Sequence, residues 1–175
     1  SWVAKYIKGN WDALAGQIWP MFDWADHVLE PFPIPVEWRK FRAIDHGQVN
    51  PTCCLWFAID YDGNVYVYRE YYSPGLISDH FKAIVSLSEG EEYQTTKLPP
   101  ECWGKTMEKD HKFWSVVDEY REHGIYPSQA NNEVEAGINR VGEYLTVKPS
   151  KIHPITATLG SPTLFIFKNC QNLLL

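Results

Sequence analysis

Three apolar stretches with alternating side chains, separated by short polar turns, constrain most strongly how this chain can fold. The first stretch begins at Trp38 and ends at Asp45, and the next two span residues 54–60 and 65–71. Alternation over such lengths is typical of β-strands that place one face against a core. An Asp-Gly dipeptide at residues 62–63 favours a hairpin turn, because it accepts the positive φ that such turns require. The sequence therefore predicts a three-stranded antiparallel meander.

After the meander, helical and strand patterns alternate. The expected elements are, in chain order, a helix with Ser78 as N-cap that stops near Gly90, a strand at 93–98, a helix with Phe113, Val116, Val117 and Tyr120 inward that stops at Gly124, a short strand at 125–126, a helix carrying Val134, Ile138, Val141 and Leu145, and a strand at 163–167. A meander followed by such alternation gives an α/β protein whose mixed sheet has helices on its faces. This order is similar to that of the RNase H-like fold, in which the first strand is central and lies beside the fourth.

The first 36 residues do not continue this pattern. They are rich in tryptophan, with a possible short helix at 11–18, and the prolines of PFPIP at 31–35 keep the chain extended. We interpret residues 1–36 as an arm or linker and residues 37–175 as the main domain. The residues expected to pack the arm against the domain are Trp2, Trp11, Trp19 and Trp24.

Composition limits the classes of protein to which the chain can belong. With 175 residues, 45% hydrophobic and 22% charged, it is expected to form one globular domain, and no apolar run approaches the roughly 20 residues of a membrane helix. The four cysteines show no CxxC spacing, which indicates a reducing compartment and no zinc site. The net charge of −6 argues against a general polyanion binder, although clustered carboxylates can still bind divalent cations.

Asp45 is the first candidate for chemistry, because it ends an apolar strand and precedes a turn at Gly47. An Asp in this position commonly caps the turn. It can equally serve as a metal ligand at the mouth of a sheet. Glu101, in PPECW just after the fourth strand, is the second candidate, and alone it is typical of an acid at a helix N-terminus. Together the two acids would lie at adjacent strand ends, where carboxylates could share divalent cations; two-metal phosphoryl hydrolysis holds such ions roughly 3.5–4 Å apart.

The remaining candidates are weaker. Asp60 and Asp62 flank the hairpin and are expected to be solvated, and Glu70 either reaches the same edge as Asp45 or pairs with an Arg on a neighbouring strand. His46 should point to the face opposite Asp45. His111 and Lys112 are expected to open a helix. The lysines near Glu101 could contact DNA phosphates or form a solvated helix face, and they are Lys97, Lys105, Lys109 and Lys112.

Several stretches, in the right order, resemble the C-terminal nuclease domain of the large terminase subunits of tailed bacteriophages. The segment YIKGNWDALAG resembles the family's exit from its ATPase domain, and HVLEPFPIPVEWRKFRAIDHG resembles the approach to its first strand, where Asp-x-Gly holds the first catalytic acid. The others are DGNVYVYREYY, PPECWGK, YREHGIYPSQANNEVEAGINRVGEYL and PTLFIFKNCQNLL, which span residues 62–72, 99–105, 120–145 and 162–174. The resemblance covers nearly the whole chain.

The resemblance implies an RNase H-like endonuclease that cuts concatemeric viral DNA during genome packaging with two Mg²⁺ or Mn²⁺ ions. Its implied partners are double-stranded DNA, the portal protein and the small terminase subunit, and its implied location is the host cytoplasm and, transiently, the procapsid portal. Asp45 matches the first acid. Glu101 matches the second acid in family members that read Pro-Pro-Asp-x-Trp; in members that read Asp-Pro-Ser-x-Trp, the matching position here is Pro99.

The family's third acid lies in an Asp-His-x-x-Asp-like stretch, and this sequence stops at Leu175 before any such stretch. The phosphate-binding loop of the ATPase domain is also missing. We therefore expect an excised nuclease domain that is short of one ligand. Two other functions compete with this one. A non-catalytic module of the same fold could dock the portal or a terminase partner, and a tryptophan-rich domain could bind or hydrolyse carbohydrate with Asp45 and Glu101 as its acid pair.

Overall fold

The structure is a computed structural model that describes residues 18–47, 50–109 and 111–175. The possible helix at 11–18 lies almost entirely outside these residues, as do Trp2 and Trp11. The elements are, in chain order, α1 (Trp24–His27), β1 (Val28–Leu29), β2 (Arg39–Asp45), β3 (Thr52–Ile59), β4 (Val65–Ser73), α2 (Ile77–Leu87), β5 (Thr95–Leu98), a 3-10 helix (Pro100–Trp103), β6 (Lys105–Lys109), β7 (Lys112–Ser115), α3 (Val116–Glu122), β8 (Ser128–Gln129), α4 (Val134–Leu145), β9 (Lys148–Ile152), β10 (Leu159–Ser161) and β11 (Leu164–Phe167).

A mixed seven-stranded sheet organises the described residues, in the strand order β1-β11-β4-β3-β2-β5-β8. Strands β2, β3 and β4 form the antiparallel meander, while β5 pairs parallel to β2 and β8 pairs parallel to β5. Strand β11 returns parallel to β4 at the other side of the meander. The predicted α/β arrangement is confirmed, including the central position of the first meander strand next to the fourth.

The core forms where one face of the sheet is covered by helices. In β3, every second residue is buried, and Trp56 is 0% exposed. Helices α2 and α3 contribute Ile84, Val117 and Tyr120 to the same hydrophobic cluster. Burial of apolar surface of this kind supplies most of the driving force for folding. The alternation read from the sequence therefore marks the inward face of the meander.

Residues 100–115 differ from the expectation. A helix was predicted to carry Phe113 inward and to be opened by His111 and Lys112, but these residues belong to a β-hairpin of β6 and β7. His111 takes a positive φ of 61° in the turn, and Phe113 is 67% exposed. The helix begins only at Val116, because Ser115 accepts a hydrogen bond from the Asp118 amide and the Asp118 carboxylate accepts one from the Ser115 amide.

Two other boundaries also shift. Helix α2 starts at Ile77 with Leu76 as N-cap, so Ser78 lies inside the first turn and is not the cap. The fifth strand of the RNase H-like order lies at Ser128–Gln129 and not at 125–126. The Ile125 amide instead donates to the carbonyl of Tyr120 and completes the end of α3. Helix α4 and strand β11 lie where they were predicted.

The segment assigned to the arm contacts the sheet and α4. Strand β1 pairs parallel to β11, and Trp19 Nε1 donates to the carbonyl of Ile138 at 3.0 Å. His27 is buried, with its Nε2 2.7 Å from the carbonyl oxygen of Leu145. Trp24 does not pack as expected, since 52% of it is exposed. The division at residue 36 into an arm and a domain stays a prediction.

The antiparallel hairpin formed by β9 and β10 was not predicted. In chain order, its two strands come after α4 and before β11. Gly160, within β10, adopts a φ of +92°. Within the part of the chain that the structure describes, no helix has the length and apolar character needed to cross a membrane.

Asp60 is a hydrogen-bonding centre for the β3–β4 turn and is not merely solvated, as had been expected. Its Oδ1 accepts from the amides of Asp62 and Asn64, and its Oδ2 accepts from Asn64 Nδ2 and Tyr66 Oη. Both Asn64 and Tyr66 are buried, at 1% exposed each. One carboxylate therefore satisfies backbone and side-chain donors that would otherwise lose their partners.

We predict that Asp60→Ala lowers the free energy of unfolding by about 2–3 kcal/mol, because it leaves buried donors unsatisfied. Urea denaturation of the variant and the parent protein measures the difference. Asp62→Ala, in the same turn but with an exposed side chain, is the matched control and should change stability by less than about 0.5 kcal/mol. Equal effects of the two substitutions would contradict this role of Asp60.

Candidate functional site

Asp45 is the last residue of β2, and its side chain is exposed. Asp45 pairs with Cys53 across the β2–β3 ladder, and Cys53 pairs with Tyr72 on β4. Partners in an antiparallel ladder point to the same face of the sheet. Alternation places Asp45 on the face opposite Arg42 and Ile44, which are buried under the helices. Asp45 therefore lies where β2 ends and is exposed to solvent. We call this end of the neighbouring strands the edge of the sheet.

Glu101 lies in the 3-10 helix that directly follows β5, and it is exposed. The parallel register pairs Ala43 with Lys97, so two residues further along Asp45 is level with Pro99. The two acids thus leave neighbouring strands at the same edge of the sheet. Burial, and after it the negative charges of Glu101 and Asp45, raise the pKa of the Cys102 thiol to about 11. Because both charges act on one thiol, the structure brings the two predicted acids into one neighbourhood.

Glu70 is the third acid near this edge. It pairs with Leu55 on β3, and Leu55 in turn pairs with Ala43, so alternation places Glu70 on the same face as Asp45. The pKa of the Cys53 thiol is raised to about 11, first by burial and then by the charges of Glu70 and Asp45. Within the described part of the chain, Glu70 forms hydrogen bonds with Asn172 and Leu173 and not with an Arg, the pairing considered from the sequence.

The Glu70 carboxylate instead anchors the last residues of the chain. It accepts hydrogen bonds from the Asn172 amide at 3.0 Å, from Asn172 Nδ2 at 2.6 Å and from the Leu173 amide at 2.6 Å. Hydrogen bonds to a carboxylate are stronger than those between neutral groups. This contact fixes the segment after β11 against β4, near the edge where Asp45 lies.

His46 points to the face opposite Asp45, as predicted. Its Nδ1 is 3.3 Å from Tyr120 Oη, and its ring lies 6.0 Å from that of His80. Burial, and then the nearby His80, lower the pKa of His46 to about 4. His46 is therefore neutral at physiological pH. The aromatic contacts hold the backbone next to Asp45 from the helix side of the sheet.

The lysines proposed to contact DNA lie in different settings. Lys105 begins β6, immediately after the 3-10 helix that carries Glu101, and Lys112 begins β7; both side chains are exposed. Lys105 is close enough to Asp118 to contribute to the lowered pKa of that carboxyl, after the hydrogen bonds from Ser115. Lys97 donates to the carbonyl of Gln129 at 3.1 Å. Lys105 is thus adjacent to the turn that carries Glu101, whereas Lys112 lies at the far end of the hairpin, opposite Lys109.

The donors at this edge are of the type that hard divalent cations prefer. Mg²⁺ and Mn²⁺ bind carboxylate oxygens and are commonly held by one or two protein carboxylates together with water and substrate phosphates. Asp45 and Glu101 fit that description. Among residues 18–47, 50–109 and 111–175, no group of three or more His, Cys, Asp or Glu side chains is arranged to hold a metal. The described residues therefore offer two candidate ligands at this edge, Asp45 and Glu101.

Solved structures with a similar fold are those of large terminases and of their nuclease domains. The chain is similar to the large terminase from a thermophilic bacteriophage, with a TM-score of 0.68 and 21% identity over 91% of this chain and 35% of that one. It is similar to the nuclease domain of the P22 large terminase, with a TM-score of 0.65 and 16% identity over 91% of this chain and 76% of that one. It is also similar to the large terminase nuclease from thermophilic phage G20c, with a TM-score of 0.50 and 10% identity over 87% of this chain and 92% of that one.

No protein-family model matches the sequence, and no curated protein does either. The structural similarity shows that the chain has the RNase H-like fold of a terminase nuclease domain, as the resemblance in sequence implied. The chain spans about a third of the length of the first of these large terminases, 35% of that chain.

We predict that Glu70→Ala releases the segment that follows β11. Loss of two charge-assisted backbone hydrogen bonds should accelerate amide hydrogen exchange at Asn172 and Leu173 by about tenfold or more, which NMR can measure residue by residue. Glu92→Ala removes an exposed carboxylate elsewhere and serves as the control. Unchanged exchange at Leu173 in Glu70→Ala would contradict the anchoring role.

Proposed function

We propose that this chain is the metal-dependent DNA endonuclease domain of a phage terminase large subunit, which cuts concatemeric viral DNA during genome packaging. The observation that carries the proposal is the parallel register of β2 and β5, which sets the exposed Asp45 level with Pro99, two residues before the exposed Glu101. The fold supports it, because solved structures that share it include a large terminase nuclease domain.

Asp45 would bind both of two Mg²⁺ or Mn²⁺ ions and Glu101 would bind one of them. A carboxylate from outside the present sequence would complete the set. Bound ions of this kind lower the pKa of water and stabilise charge that develops on a phosphate. The chain's own contribution is to hold two carboxylates at adjacent strand ends, and the paired strands β2 and β5 fix their separation.

DNA would approach from the side of the β6–β7 hairpin. Lys105 and Lys112 are exposed there and are suited to contact phosphates, which position a duplex without reading its sequence. Local cations of this kind offset the net charge of −6 at the place where DNA binds. We therefore expect little sequence preference from this domain. Its place of action would be the host cytoplasm and, transiently, the procapsid portal.

A second function is favoured by one specific observation, which is the acidic balance of the chain, with a net charge of −6. Proteins that bind nucleic acid usually carry a basic surface. In this alternative the domain is a non-catalytic module that docks the portal protein or the small terminase subunit. The RNase H-like fold is compatible with either role, because a fold alone does not determine activity. The two functions differ in whether divalent metal matters.

We predict that the chain nicks supercoiled plasmid in Mn²⁺ and not in EDTA, as measured by agarose-gel conversion of supercoiled to open-circular DNA. Asp45→Asn and Glu101→Gln should each reduce the rate by about 100-fold or more, because each removes a charge that would stabilise the reacting phosphate through bound metal. Asp62→Asn is the control for loss of one exposed carboxylate and should cleave at the parent rate.

The folded state should tolerate both substitutions, because each replaces an exposed side chain and changes stability by about 0.5 kcal/mol or less. Equal cleavage by the parent chain and Asp45→Asn would contradict the assignment of the site. Absence of metal-dependent cleavage in this chain, and also in one extended past Leu175, would favour the docking module.

A further inference from the structure

Arg42 is a buried cation on the helix side of β2, three residues before Asp45 and on the opposite face. It is 8% exposed. Its Nε donates to Thr96 Oγ1 at 3.1 Å, its Nη1 donates to Ser88 Oγ at 2.8 Å, and its guanidinium carbon lies 4.1 Å from the centroid of the Tyr93 ring. These contacts fix the guanidinium in one orientation.

No carboxylate pairs with this guanidinium in the described part of the chain. Glu91 is the nearest acid in the same region, but its oxygens already accept from Arg69, Tyr68 and Tyr93. Burial lowers the pKa of Arg42. Among the groups named as raising that pKa, Glu91 contributes least. An Arg side chain stays charged in proteins, so the structure holds a buried positive charge without an ion-pair partner. Such charges are destabilising unless something compensates for them.

The second terminal nitrogen of Arg42, Nη2, is the part of the guanidinium that these contacts leave for a further partner. Among the described residues, Nη2 has no hydrogen-bond acceptor. The one fully buried side-chain nitrogen or oxygen atom that lacks a partner there is Asn64 Oδ1, so Nη2 is not fully buried. Arg42 lines two cavities, of about 620 Å³ and about 320 Å³, and both also include Glu91, Tyr93 and Gly124.

The larger cavity is open to solvent, and its volume lies within the range of about 300–1,000 Å³ that is usual for small-molecule sites. Val85 supplies exposed apolar surface. Lys82 lies among the lining residues with an exposed side chain, and Glu89 lies nearby with the opposite charge. Lys82 and Glu89 balance each other, and the lining residue Glu91 is already paired with Arg69, which leaves the single charge of Arg42 to be matched. A singly charged carboxylate matches it better than a phosphate dianion, which would meet Glu89 as well.

We propose that the larger cavity, lined by α2, by the segment between α2 and Tyr93 and by the residues that follow α3, binds a small carboxylic acid, with the carboxylate on Arg42 and an apolar body against Val85. This site lies on the face of the sheet opposite Asp45 and is independent of the nuclease proposal. Arginine suits the task, because its planar fork donates two parallel hydrogen bonds to a carboxylate.

The test is an NMR titration of the ¹⁵N-labelled chain with sodium benzoate at constant ionic strength. The indole Nε1–H of Trp56 donates to Ser88 Oγ, which also accepts from Arg42, so its cross-peak reports on the site. We expect saturable shifts with benzoate, weaker binding of acetate, which lacks the apolar body, and no saturation with benzamide or inorganic phosphate. Arg42→Met should weaken benzoate binding by about tenfold or more.

Arg39→Met is the matched control, because Arg39 is exposed on the same strand and points to the opposite face. It should bind benzoate as the parent chain does. Should Arg42→Met fail to fold, Val85→Trp narrows the cavity and keeps the guanidinium, and it should also abolish binding. The proposal is overturned if benzoate does not saturate, if phosphate binds more tightly than benzoate, or if the Arg42→Met or Val85→Trp variant binds as tightly as the parent.

Discussion

The double pairing of β2, antiparallel to β3 and parallel to β5, is the constraint on which the rest of this structure depends. Ala43 is opposite Leu55 on one side and Lys97 on the other, which fixes both registers. A slip of one residue would exchange the two faces of the strand, burying Asp45 and exposing Ile44. The hydrophobic cluster beneath the helices opposes such a slip, because Ile44 is 3% exposed and lies within it. Packing on one face of β2 therefore sets the position of the acid at its end.

The same strand carries different chemistry on its two faces. The accessible face ends in Asp45, on the strand next to the one that leads to Glu101, whereas the helix side holds Arg42 and, just past the strand, His46. Burial keeps His46 neutral, with a pKa of about 4, so it adds no charge behind the acids. A packed layer behind the two acids, in which Arg42 is held by hydrogen bonds and His46 is neutral, favours a fixed geometry, which metal sites require from the residues around their ligands.

The elements that were predicted correctly are those that a local alternation or a helical period determines. The alternation of residues 38–71 was enough for the meander, and the spacing of Val134, Ile138 and Val141 was enough for α4. It failed at residues 105–115, where the short, charged strands of a hairpin lack an apolar period, and Phe113 is exposed on it. The role of Glu70 in anchoring the last residues could not be predicted from the sequence, for another reason. Its partners Asn172 and Leu173 are 102 and 103 positions away, and only the tertiary fold brings them together.

The proposed divalent-cation site of Asp45 and Glu101 makes a prediction about bound metal. Its most direct test is a crystal structure of the chain with Mn²⁺, with diffraction data collected at the manganese absorption edge. We expect an anomalous peak for a Mn²⁺ ion that is coordinated by carboxylate oxygens of both residues. The peak should be lost in Asp45→Asn crystals. Anomalous density that avoids this edge of the sheet, or that persists unchanged in Asp45→Asn, would contradict the claim.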